Sequence, residues 1–94
     1  MKLQNKIFVS GIVVSGIRWQ QNKETGDDQA DFKIESTELG KDGKQYKEAV
    51  LCRVMGIRAQ DVKDLPLGTK VFIEGTLRYA PNKMGYVEVR EIDI

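Results

Sequence analysis

The stretch TKVFIEGTLRY, residues 69–79, alternates like a β-strand yet carries Gly75 in its middle. Val71 and Ile73 alternate with Phe72 and Glu74, and the pattern resumes at Leu77. Glycine weakens a strand interior, because it packs no side chain and loses more backbone entropy than other residues on folding. NKIFVSGIVVSG, residues 5–16, repeats the interruption: Gly11 follows Ile7, Phe8 and Val9 and precedes Ile12 and Val13. A glycine or a bulge is the usual device where a strand turns a sharp corner. Two such strands in one small chain point to a closed barrel, the alternative being a plain sandwich with two incidental glycines.

Working outward, residues 6–14 read as a first strand, with a continuation expected after the break at Ser15-Gly16 into Ile17, Arg18 and Trp19. QQNKETGDDQ, residues 20–29, is polar and reads as a loop. In ADFKIES, Ala30, Phe32 and Ile34 alternate with Asp31, Lys33 and Glu35, a half-buried second strand. Asp42-Gly43 signals a hairpin turn, since such turns need positive φ. Residues 46–55 form a third strand, with Val50, Cys52 and Val54 facing the core and Ala49, Leu51, Arg53 and Met55 facing out. Ala59, Val62 and Leu65 recur three apart until Pro66 and Gly68 stop them, which predicts a short helix docked on the core. Residues 69–79 are the fourth strand, APNKMG a turn, and YVEVREIDI the fifth strand. Five strands with one short helix between the third and fourth is the layout of an OB-fold, a small Greek-key barrel, here one all-β domain over residues 1–94.

Composition narrows the function. The 94 residues are 40% hydrophobic and 31% charged, ordinary for a soluble globular chain. No apolar run reaches the length of a membrane span. Gln4, Asn5 and Lys6 stand where the apolar run of a signal peptide would begin. A single cysteine allows no internal disulfide, so a cytoplasmic location is expected. The net charge of +1 is spread unevenly: residues 1–20 carry three basic residues and no acid, and residues 21–48 carry five lysines against eight acids. Nothing forms the basic stripe that would announce nucleic acid outright. With no histidine and one cysteine, a zinc site of the usual nitrogen and sulfur ligands is excluded. GKDGK lacks P-loop spacing, and Asp27-Asp28 sits in a loop without catalytic partners, so an enzyme and a cofactor are not expected.

Several segments resemble, in order and with matching gaps, bacterial single-stranded DNA-binding proteins. NKIFVSGIV resembles their opening strand, ADFKIESTE their second strand, and VMGIRAQDV their strand-to-helix passage. LGTKVFIEGTLRY resembles their glycine, then Val-aromatic-Ile-Glu-Gly, then Leu-Arg. The resemblance implies an OB-fold that binds single-stranded DNA in replication, recombination and repair, as a homodimer or homotetramer and in association with the nucleoid. It also shows departures. Positions where the family stacks bases on aromatic side chains resemble Gly40, Ala49 and Met55 here, and Trp19 is the one tryptophan. The acidic-tipped tail through which such proteins recruit partners has no counterpart before Ile94. The short primosomal replication proteins of the PriB type also lack that tail, and EAVLCRV resembles their third strand. A phage- or plasmid-borne single-strand binder fits equally well.

Binding a single strand takes cations for phosphates and flat faces for bases. Arg18 and Trp19 adjoin, so that one could hold a phosphate and the other a base, or Trp19 could cover the open end of the barrel. Arg53 and Met55 face out on the third strand, and Phe72 and Arg78 on the fourth. An outward Phe72 suits a base, a docked helix or a second copy of the chain. Tyr79, Lys83 and Tyr86 flank one turn, and Lys44 with Tyr46 flanks the other. Arg53 stands out, because the third strand lies at the centre of the binding face in such barrels. A protein-interaction module of the primosome with weak binding of DNA or RNA is the alternative, with replication proteins as partners.

Overall fold

The computed structural model describes residues 5–21, 23–39 and 43–94, without the side chains of 37–39, 45 and 46. Gly40, Lys41, Asp42 and the Tyr46 side chain therefore lie outside the described residues. Strand β1 spans Ile7–Val13, β2 Arg18–Gln21, β3 Asp28–Leu39 and β4 Gln45–Met55. A 3₁₀ helix, η1, spans Gly56–Val62, followed by β5, Lys70–Tyr79, and β6, Gly85–Asp93. The strands pair around a ring: β1 with β5, β5 with β6, β6 with β4, β4 with β3, and β3 back to β1. All pairings are antiparallel except β4 with β6, where Cys52 meets Val87 and Arg53 meets Glu88 in parallel. This is the expected five-stranded OB barrel with one added strand.

The added strand continues the chain after Ser15-Gly16 as expected, but it spans Arg18–Gln21 and not residues 17–19. Both ends of the expected loop, residues 20–29, are strand, because Gln20 and Gln21 pair with Gln29 and Asp28. Ile12 and Val13 face Glu35 and Ile34, and Arg18 to Gln21 face Asp31 to Asp28, along the same edge of β3. The backbone N–H of Lys33 donates to the Ser15 hydroxyl, 2.7 Å, and that of Val14 donates to the Lys33 carbonyl, 3.0 Å. These bonds carry the chain across the break, which absorbs the extra residues between β1 and β2.

The two interrupting glycines sit where strands approach closely. A Cβ on Gly11 would stand 2.6 Å from the Glu35 carbonyl oxygen, at the point where β1 passes from β5 to β3. A Cβ on Gly75 would meet the Glu88 carbonyl oxygen and lie 2.7 Å from Val87 Cγ1. Beside Gly75 the ladder is bulged: Glu74 faces Glu91 while Gly75 faces Val89, so Arg90 is skipped. The extra residue belongs to β6, so β6 bends and the local twist sharpens opposite Gly75.

Alternation sorts the side chains as expected. Val13, Ala30, Phe32, Ile34, Cys52, Val54, Val71, Ile73, Val87 and Val89 fill the barrel with Ala59 and Val62 of η1. Each large apolar side chain so buried contributes about 1.5–3 kcal/mol. The spacing of three between Ala59 and Val62 fits a 3₁₀ helix, in which residues three apart eclipse, and Leu65, beyond its end, donates its N–H to the Val62 carbonyl at 3.1 Å. Gly56, at φ 74°, supplies the left-handed bend into η1. Burial holds the Cys52 thiol up at about 12, so it behaves as a small core residue and not as a nucleophile.

Candidate nucleic-acid interface

Directly paired residues on neighbouring strands share a face. On the outside of the barrel this rule builds one row across five strands. Arg78 of β5 faces Tyr86 of β6, the Arg53 guanidinium of β4 lies over the Tyr86 ring at 4.5 Å, Arg53 faces Asp31 of β3, and Asp31 faces Arg18 of β2. Four residues singled out in the sequence (Arg18, Arg53, Arg78 and Tyr86) thus meet in a single line.

Arg53 is the centre of it. Its Nε donates to Asp31 Oδ1 at 3.0 Å and its NH2 to Oδ2 at 3.3 Å, a two-point fork. Gln29 Nε2 donates to the same carboxylate, 3.2 Å from Oδ2. The hydrogen bond to Asp31 pushes the Arg53 pKa further up, so the cation is permanent. Only a quarter of the Arg53 side chain and 12% of that of Asp31 reach solvent. The fork therefore fixes the guanidinium plane over Tyr86 and forms a rigid cation–π stack.

A groove of about 420 Å³ opens beside this stack, lined by Ser15, Gly16, Arg18, Lys33, Leu51 and Arg53 among others. Among the described residues, Arg18 and Lys33 have no ion-pair partner. Lys33 was missed as a candidate, although its place between Phe32 and Ile34 already turned it outward. At the other end of the row, Glu88 takes Arg78 Nε on Oε2 at 3.0 Å and Arg90 NH2 on Oε1 at 3.6 Å.

Strand alternation separates two pairs that adjoin in sequence. Trp19 shares the face of buried Ala30, opposite to Arg18, and lies under the Lys63 ammonium at 5.9 Å. Trp19 and Arg18 therefore cannot clamp one nucleotide together. Tyr79 likewise stands on the opposite side of β5 from Arg78, its ring over Gly85, where a Cβ would lie 3.4 Å away. Tyr79 and Lys83 are exposed, and Lys83 adopts φ 66° in the turn closed by the Ala80 N–H to the Met84 carbonyl, 2.9 Å. Lys44 is exposed at the mouth of the β3–β4 hairpin, next to Gly43 at φ 79°. Met55 is half-buried at the end of β4, facing Gln29. Phe72 lies away from the row: 51% exposed, it meets Phe8 of β1 with ring centroids 6.4 Å apart. Among the described residues no docked helix covers it.

No protein-family model matches this sequence, and no curated protein sequence matches it. The fold has clear relatives among solved structures. The SSB domain of a protein from Synechococcus superposes with a TM-score of 0.83 at 19% identity, covering 100% of this chain and 99% of that one. PriB from Ralstonia solanacearum superposes with a TM-score of 0.81 at 12% identity, covering 97% of both chains. A second structure of that protein gives 0.80 at 11% identity. At such identities the likeness is one of fold.

Proposed function

We propose that this protein binds single-stranded DNA, without catalysis and with little sequence preference, along the groove of Arg18, Lys33 and Arg53 and across the Arg53–Tyr86 stack. The observation that carries this reading is the row itself, which sets cations and a flat platform side by side, the two things a single strand requires. The SSB and PriB names of the structural neighbours support it. Following the sequence resemblance, we place the activity in replication, recombination and repair in the cytoplasm, with replication or primosome proteins as further partners. Anisotropy of labelled oligo-dT at about 50 and 200 mM salt is expected to show binding whose log K falls by a small multiple of 0.7 per decade of salt. A preference for duplex of the same length would overturn the reading.

One observation favours a second reading, an accessory module of the PriB type whose protein contacts matter more than its DNA or RNA contacts. Arg53, Arg78 and Arg90 all carry carboxylate partners, which lowers the positive potential of the face. Failure to bind oligo-dT or oligo-rU at micromolar concentration would decide for it.

We also propose self-association, as a homodimer or homotetramer, through the face of Phe8, Ile12 and Phe72. These side chains are 60%, 48% and 51% exposed, an apolar cluster in need of cover. Beside it, residues 7–11 of β1 pair with β5 alone among the described strands, which leaves an edge open. Phe72→Lys is expected to turn the oligomer into a monomer in sedimentation. A parent chain already monomeric at micromolar concentration would sink the proposal.

A further inference from the structure

Two kinds of ion pair lie on the proposed binding face. The Arg53–Asp31 fork is two-pointed and largely buried. The pairs made by Glu88 are single contacts of exposed arginines, the Arg78 side chain being 48% and that of Arg90 53% exposed. Glu88 itself is 21% exposed, but with about half of each arginine in solvent and one contact apiece these pairs are weaker than the fork and more readily exchanged. Glu88 also occupies a central place, facing Arg53 across the β4–β6 pairing and Thr76 across the β5–β6 pairing. Each of its two carboxylate oxygens takes one guanidinium, as a phosphate would.

We infer that Glu88 is a built-in competitor of the nucleic-acid backbone, holding Arg78 and Arg90 until a phosphate displaces it and so setting the affinity of the face. The inference rests on the single-strand reading above. Arg53 is held by Asp31 and stays in place as the platform, while Arg78 and Arg90 turn from Glu88 to the strand. The displaced carboxylate then repels the phosphates that replaced it, a cost present in every complex. Arg90 suits the exchange, because the bulge leaves it outside the regular ladder.

The test compares Glu88→Gln with Asp64→Asn, which removes the same charge from an exposed position beyond η1. Both variants and the parent are titrated with labelled oligo-dT at several salt concentrations. Glu88→Gln is expected to bind about three- to tenfold more tightly than the parent at low salt, the combined effect of the two pairs. Its salt slope should stay close to the parent's, because Arg78 and Arg90 meet phosphates in both complexes. Asp64→Asn should leave both nearly unchanged, and adding Arg78→Ala to Glu88→Gln should remove part of the gain. Glu88→Thr, suited to an outward strand position, repeats the test should glutamine disturb the fold. Equal effects of Glu88→Gln and Asp64→Asn would overturn the inference in favour of a long-range charge effect, as would weaker binding by both Glu88 variants. If the parent itself binds no single strand, the functional reading falls, and this inference with it.

Discussion

Gly75→Ala is expected to destabilise the barrel by about 1–3 kcal/mol or more, as overpacking does in a filled interior. The new methyl group would enter the Glu88 carbonyl oxygen and Val87 Cγ1. The valine can shift, whereas the carbonyl belongs to a strand pinned between β5 and β4. For a domain of this size each kcal/mol lowers Tm by about 4–8 °C, so thermal melting followed by circular dichroism reads the effect directly. Gly11→Ala should behave similarly, since its methyl group would stand 2.6 Å from the Glu35 carbonyl oxygen. Gly16→Ala is the contrast: nothing lies within 4 Å of a Cβ there, so it should be neutral or slightly stabilising through the unfolded chain. A Gly75→Ala protein that melts with the parent would show that the strands are not held together at this corner.

Arg53→Ala is expected to weaken single-strand binding by about ten- to a hundredfold, the worth of one stacked base or more. The substitution uncovers Tyr86, removes a cation from the groove and leaves the Asp31 carboxylate, 12% exposed, without its fork. The freed carboxylate would then repel the strand, which is why the loss should exceed that of one phosphate contact. The salt slope should fall by about 0.7 or more. Arg53→Lys should recover the slope but not the full affinity, because an ammonium restores the charge without the planar fork. Titration of both variants against oligo-dT, with melting curves to verify the fold, checks this. Parent-like binding by folded Arg53→Ala would mean that the strand runs elsewhere on the barrel.

The fold was legible because its signals are local. A period of two assigned Ala30, Phe32 and Ile34 to the core and Asp31, Lys33 and Glu35 to the surface, without knowledge of any partner strand. A spacing of three located η1, and the two glycines announced corners. Part of the candidate site was legible in the same way: Arg53 and Arg78 follow from parity on their strands, whereas Tyr86 was singled out by its place beside a turn. Parity, applied to neighbours, would also have separated Trp19 from Arg18 and Tyr79 from Arg78, since adjacent residues in a strand point to opposite sides.

What the tertiary structure alone decided is which outward residues meet. Arg18 and Arg78 are sixty positions apart in the chain, and they belong to one row because the registers of four strand pairings bring them there. Register is a long-range property, set by how the apolar faces close around a common core, and no single strand carries it. The same holds for charge. The sequence determined a nearly balanced chain, but only the pairing of β3 with β4 and of β5 with β6 decided that Asp31 locks Arg53 and that Glu88 lies between Arg78 and Arg90. Gly75 joins the two levels. Its place in a strand marked a corner from the sequence, while the reason no side chain fits there, a carbonyl of β6 against its Cα, exists only once the barrel has closed.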